Sequence, residues 1–160
     1  MSTIMMAHID DHFIHGQVAT RWCEALDANL VIVVNDELAS NKMRQGLLDM
    51  AVPDKINSRY YTIDKAITQL PTIKEKRILL IANSITDICQ LINAGINIPC
   101  INLASIALEP GKRHVTSSLA MGEDDFNLLE GLISKGIKVD SRVHPEDDSQ
   151  QLVSTINQLN

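Results

Sequence analysis

Short apolar runs alternate with stretches of helical period along the chain. Residues 4–9 read as a first strand. Residues 16–26 read as an amphipathic helix, with Gln17, Thr20, Arg21, Glu24 and Asp27 on its polar stripe and Val18, Trp22, Ala25 and Leu26 on its apolar one. The continuous β-branched run at residues 30–34 suits a strand buried on both faces of a parallel sheet. Residues 40–50 have a helical period that points Met43, Leu47, Leu48 and Met50 inward, and Pro53 ends the helix. Residues 59–63 read as a third strand, and Asp64 as the cap of a short helix that Pro71 stops near Leu70. A fourth strand at 78–82 leads to Ser84, placed to cap a helix over 85–93 that Gly95 closes. A fifth strand follows at 100–103. Residues 104–121 are less regular, with a Pro110-Gly111 turn and two short strands near 114–116 and 118–121. A helix over about 124–134, a last strand at 137–143 and a polar terminal helix at 146–159 complete the pattern.

Strands alternating with helices predict an α/β fold: an open, mostly parallel sheet of about six to seven strands with helices on both faces. The expected organisation is one domain spanning residues 1–160. Sheets of this kind bind ligands beyond the carboxyl ends of their strands. The loops at residues 10–16, 35–37, 83–84 and 103–108 are therefore the places to look for chemistry.

Composition narrows the function classes. A net charge of −6, with the basic residues scattered, argues against a nucleic-acid partner. Residues 88–108 carry no charge, yet Gln90, Asn93, Gly95, Asn97, Pro99 and Asn102 interrupt them, which suits a helix and strand in a globular core better than a membrane span. The opening residues lack a basic segment, and Asp10 and Asp11 follow closely. With Cys23, Cys89 and Cys100 unpaired in spacing, the expectation is a cytoplasmic chain with reduced thiols.

The loop after the first strand concentrates three of the five histidines, His8, His12 and His15, with Asp10 and Asp11, just before a helix. Gly16 lets backbone approach a ligand closely. The unpaired N–H groups and dipole at the helix start, from Gln17 onward, form a site for anionic oxygens. A neutral imidazole there can attack a phosphoryl group, since the reference pKa of histidine is about 6.5. A carboxylate can hold the other ring nitrogen and fix the tautomer. Phosphoryl transfer needs mainly positioning and charge stabilisation. No metal or cofactor is required.

The run Ile9-Asp10-Asp11-His12-Phe13-Ile14-His15-Gly16-Gln17-Val18 resembles the motif A-R-I-D-D-R-L-I-H-G-Q-V. That motif is carried by the IIB components of the mannose/fructose/sorbose family of the bacterial phosphoenolpyruvate-dependent sugar phosphotransferase system. Similarity continues through residues 32–37, the Ala51-Val52-Pro53 helix end, residues 92–96, Asn102-Leu103 and residues 136–139. The resemblance implies that His15 is phosphorylated by a IIA partner and passes the group to a sugar held by IIC and IID membrane partners. It also implies peripheral association with that permease, and dimers occur among similar proteins. Asp10, Asp11, His12, Gly16, Gln17, Ser105 and, less directly, Ser84 are its supporting residues. The chain departs from the family at His8 and His12, where arginines are usual, and at Ala104-Ser105, where a glycine pair is usual.

Other readings of the same residues are open at this stage. Asp10 and Asp11 suit a turn, Asp36 and Ser84 suit helix caps, and Trp22 suits the core. His8, His12 and His15 would share a helical face suited to zinc if the segment were helical. Asp10, Asp11, Asp64 and Ser84 imitate a receiver-like signalling domain, although no lysine follows the fifth strand. A regulatory module that kept the IIB fold without efficient sugar phosphorylation is the further alternative.

Overall fold

A computed structural model describes residues 2–14 and 16–147. His15 and the stretch 148–160, which includes most of the expected terminal helix, lie outside the described residues. Six parallel strands form the main sheet: β1 (Thr3–Asp10), β2 (Leu30–Val34), β3 (Asn57–Tyr61), β4 (Arg77–Ala82), β5 (Cys100–Ser105) and β8 (Lys138–Asp140), in the order β3-β2-β4-β1-β5-β8. Two further strands, β6 (Arg113–His114) and β7 (Ala120–Met121), pair antiparallel beside it. The open parallel sheet expected from the alternating pattern is thus present, although β8 is shorter than the run at 137–143 suggested.

Strand β2, and β4 from Ile78 onward, are apolar because both their faces are covered. Leu30, Ile32 and Val34 point to one core with Ile78, Leu80 and Ala82. Val31 and Val33 point to the other with Leu79 and Ile81. The first core packs under α4 (Ile63–Gln69), α5 (Ile85–Asn93) and α6 (Glu123–Ser134), through Ala66, Ile88, Leu91, Leu129 and Leu132. The second packs under α1 (Val18–Leu26) and α2 (Asp36–Ala39), through Val18, Trp22 and Leu38. Trp22 is buried, as its stripe predicts.

The helix expected at 40–50 differs in two ways. It is shorter, since α3 (Lys42–Asp49) follows the separate α2, and of its four apolar positions only Leu48 packs inward, against the second core. Met43, Leu47 and Met50 are exposed by 81%, 64% and 83%. Buried Gln45 takes the inward position instead, because its side-chain amide donates to the Leu38 carbonyl at 2.8 Å and completes the end of α2. Two capping assignments also change. Thr62, not Asp64, caps α4 by accepting from Lys65 N–H. Asn35 caps α2, while Asp36 accepts from Ile63 N–H at 2.9 Å and so ties the start of α4 to the end of β2. Glu146 and Asp147, the described start of the expected terminal helix, lie in a turn and bend.

Candidate functional site

The strand order reverses at β1. The chain builds β2, β3 and β4 on one side of it, then crosses to place β5 and β8 on the other. The crevice at the carboxyl end of β1 is where such sheets bind ligands. Asp10 ends β1 there, Ser105 ends β5 beside it, and Asn83-Ser84 follow the neighbouring β4. The loop from Asp11 to Gln17 fills the gap between β1 and α1.

Two carboxylates shape that loop. Asp10 is buried, and its Oδ1 accepts from His12 N–H at 2.8 Å, while its carbonyl accepts from Phe13 N–H at 2.9 Å. This short carboxylate-capped turn lets the chain leave the strand sharply. Asp11 looks to β5: its N–H donates to the Ser105 carbonyl at 3.0 Å, and its Oδ1 accepts from Ser105 Oγ at 2.7 Å. The hydroxyl of Ser105 thus positions the loop through Asp11. Phe13 has φ +61°, a conformation uncommon outside glycine, and its buried ring anchors the loop in the second core. The Arg44 guanidinium stands 5.2 Å over that ring, which brings a fixed positive charge to the loop from α3. Nothing in the sequence pattern marks Arg44, because only the fold brings it to Phe13.

His12 carries its ring outward, with a side-chain exposure of 65%, and Nε2 stands 4.0 Å from Asp11 Oδ2. Ile14 is buried, and Gly16 is exposed at φ +53°. His15 lies between them in sequence and is outside the described residues. Gln17 precedes α1 without a side-chain hydrogen bond to its first turn, so its side chain does not cap that helix start. Ser84 is brought to the same edge of the sheet but accepts from Asp87 N–H at 3.2 Å, as a helix cap.

Behind the loop, buried His8 bonds through Nδ1 to Asn102 Oδ1 at 2.8 Å, with Nε2 at 4.0 Å from Asp10 Oδ2. Burial pushes the His8 imidazole down to about 4, against the Asn102 bond and the Asp140 charge, which favour the charged form. Asn102, Asp140 and Arg142 join this network, and the sequence pattern offered only one hint of it: a polar Asn102 inside an apolar strand.

Two alternatives lose their geometry. His8 sits on a strand, so the helical spacing needed for a three-histidine zinc face is not realised. Asp64 follows β3, which β2 and β4 separate from β1, so the acidic cluster of a receiver-like site does not assemble.

Comparison with known proteins agrees with this arrangement. Residues 4–160 match the family described as the PTS system sorbose subfamily IIB component. The chain is 32% identical to the fructose-specific EIIB component of Bacillus subtilis, over 99% of each chain. It is 30% identical to the mannose-specific EIIAB component of Escherichia coli, over 98% of this chain and 49% of that protein. The crystal structure of the IIBSor domain of the sorbose permease from Klebsiella pneumoniae superposes with a TM-score of 0.92 at 28% identity, covering 99% of this chain and 98% of that one. With the switch-point loop, its paired carboxylates and a family match over nearly the whole length, the chain belongs to the sorbose-subfamily IIB components of the sugar phosphotransferase system.

Proposed function

We propose that His15 is the phosphorylated residue of this IIB component and carries phosphate from a IIA donor to a sugar. The observation that carries the reading is the loop itself. It leaves the central strand at the switch point, is pinned by Asp10 and by the Asp11–Ser105 pair, and enters a helix whose start is not capped by the Gln17 side chain. In this mechanism a lone pair of the neutral His15 imidazole forms an N–P bond as the N–P bond of the donor's phosphohistidine breaks. The N–H groups around Gly16, Gln17 and the first turn of α1 receive the phosphoryl oxygens. Asp10 and Asp11 hold the loop in shape, Ser105 braces Asp11, and His12 meets the anion from the solvent side. In the second step a sugar hydroxyl oxygen attacks phosphorus, the His15 N–P bond breaks, and the hydroxyl proton leaves to the imidazole or to water. Ser84 serves as a helix cap at the same edge of the sheet.

The partners follow from the family: a IIA protein as donor, and IIC and IID membrane proteins that hold the sugar. The mannose-specific relative is described as an EIIAB component, which supports pairing with IIA. Among the described residues no helix is long and apolar enough to cross a membrane, so sugar passage falls to those partners. A cytoplasmic chain that visits the permease fits this division of labour. Exposed Leu47 and Met50 line an open groove with Gly16, Gln17 and Thr20, which gives an approaching donor an apolar contact beside the loop.

The test is transfer of labelled phosphate from a matched IIA donor. The native chain takes up label and His15→Ala takes up none. Equal labelling of the variant would end the proposal. Labelling without onward transfer to any sugar in permease-containing membranes would favour a regulatory module instead.

A further inference from the structure

The polar groups that this transfer leaves unused collect in one row across the sheet. His8 on β1 is in register with Asn102 on β5, and Asn102 with Asp140 on β8. Asn102 commits both amide hydrogens, since Nδ2 donates to Asp140 Oδ1 at 2.6 Å and to the Arg142 carbonyl at 2.7 Å. Its Oδ1 is therefore the acceptor, and His8 Nδ1, at 2.8 Å, must carry the hydrogen. That bond fixes the tautomer of the neutral ring: its other nitrogen, Nε2, presents a lone pair on the side of Asp10 Oδ2, 4.0 Å away. Asp10 is the residue from which the loop hangs, through His12 N–H.

The surroundings of His8 leave this contact open to charging. Its own strand contributes Asp10, and β4 contributes Ile81, the next residue in the row. Neutral Asn102 stands on β5. From β8 and beyond come Asp140 and Arg142, already paired at 3.0 Å, with the guanidinium 5.2 Å over the Trp22 ring. From α1 comes Trp22, whose ring centre is 6.2 Å from that of His8. Arg142 is thus spent on Asp140, and among the described residues the remaining charges nearest the ring are those of Asp10 and Asp140.

We propose that His8 is a positioning residue for the phosphoryl-bearing loop that acts through Asp10, standing neutral beside it in the resting chain and taking a proton on Nε2 when the phosphoryl group arrives. The inference rests on the phosphocarrier reading above. A phosphoryl group adds up to two negative charges to a loop that already holds Asp10 and Asp11. Added negative charge favours the protonated imidazole, and buried groups are screened little by salt. The proton comes from solvent and fills the Nε2 lone pair, and no other bond changes. The result is a buried His8–Asp10 ion pair that fixes the carboxylate, and with it the loop turn, in the loaded state. The counter-charge is therefore conditional on phosphate, where a guanidinium would be permanent.

Imidazole ¹⁵N NMR of the full chain labelled at histidine, before and after phosphorylation by the IIA donor at pH 7, tests this. The His8 signals are those lost in His8→Asn, a variant that keeps a donor toward Asn102. The expected result is a neutral Nδ1–H ring in the resting chain and an imidazolium in the phosphorylated chain, reverting when the phosphate is removed. In phosphorylated Asp10→Asn, the ring is expected to stay neutral, and should His8→Asn fail to fold, the His8 signals are assigned instead by through-bond correlation to the backbone of β1. A His8 ring that stays neutral in the phosphorylated native chain, or that charges equally without the Asp10 carboxylate, overturns the inference and leaves the carrier reading intact. If His15 takes no phosphate at all, the carrier reading falls and takes this inference with it.

Discussion

His12 shows how one side chain sets the chemistry of the loop. Its backbone N–H is held by Asp10, while its ring is exposed beside Asp11, so its backbone place is fixed and its ring faces solvent. An imidazole there is a weaker partner for a phosphoryl anion than a guanidinium, which presents a fork of donors and a permanent charge. His12→Arg is therefore expected to transfer phosphate near pH 7 at least as fast as the native chain, measured by rapid-quench labelling from the IIA donor. A large loss of rate would mean that the imidazole has a task of its own. Asp10, Asp11, His12, Gly16 and Gln17 were legible as a group because they are contiguous in the sequence. Ser105 was named as well, but its partner differs: in the resting chain its hydroxyl bonds to Asp11. The His8–Asn102–Asp140–Arg142 network was not legible, because its members are distant in sequence and meet only through strand register.

At the scale of elements, α3 separates what periodicity can tell from what it cannot. The apolar positions Met43, Leu47 and Met50 do form a stripe, but nothing in the pattern says which side the sheet is on. Here the hydrogen bond from Gln45 to the end of α2 decides it, and the stripe faces solvent. Replacing exposed residues seldom alters stability. Leu47→Ser and Met50→Ser are each expected to change the unfolding free energy by no more than about 0.5 kcal/mol in urea titrations. The same variants should slow phosphorylation by the donor several-fold if the groove beside Gly16 meets that protein. A loss of stability comparable to a core truncation would show that the stripe is buried in solution. The strands were easier to read than this helix. Val31, Ile32, Val33 and their neighbours are apolar on both sides, so no choice of face was needed.

Across the whole molecule, the polar row beneath α1 stands at the edge of an otherwise apolar core and gives stability a specific pH dependence. His8 titrates near 6.5 when unfolded and at about 4 when folded, chiefly because burial disfavours its charge. Its folded pKa is the lower one, so the unfolded chain binds the extra proton between these values. The stability that neutral His8 provides is complete above pH 6.5 and declines as pH falls toward 4. The loss is roughly 2–4 kcal/mol, an order-of-magnitude figure. Comparing urea unfolding of the native chain and His8→Asn from pH 8 to pH 4 isolates this contribution, since the carboxylates are common to both. The native chain should lose stability relative to the variant on acidification, and parallel profiles would contradict the burial of a neutral ring. Sheet order, loop and family all converge on the end of β1, and the most direct check of that convergence is to find where phosphate attaches. The chain phosphorylated by its IIA donor would be digested at alkaline pH and the modified residue located by mass spectrometry. A single acid-labile, base-stable phosphoryl group on His15 is the expected result; phosphate on His12, on an aspartate, or nowhere would contradict the carrier role.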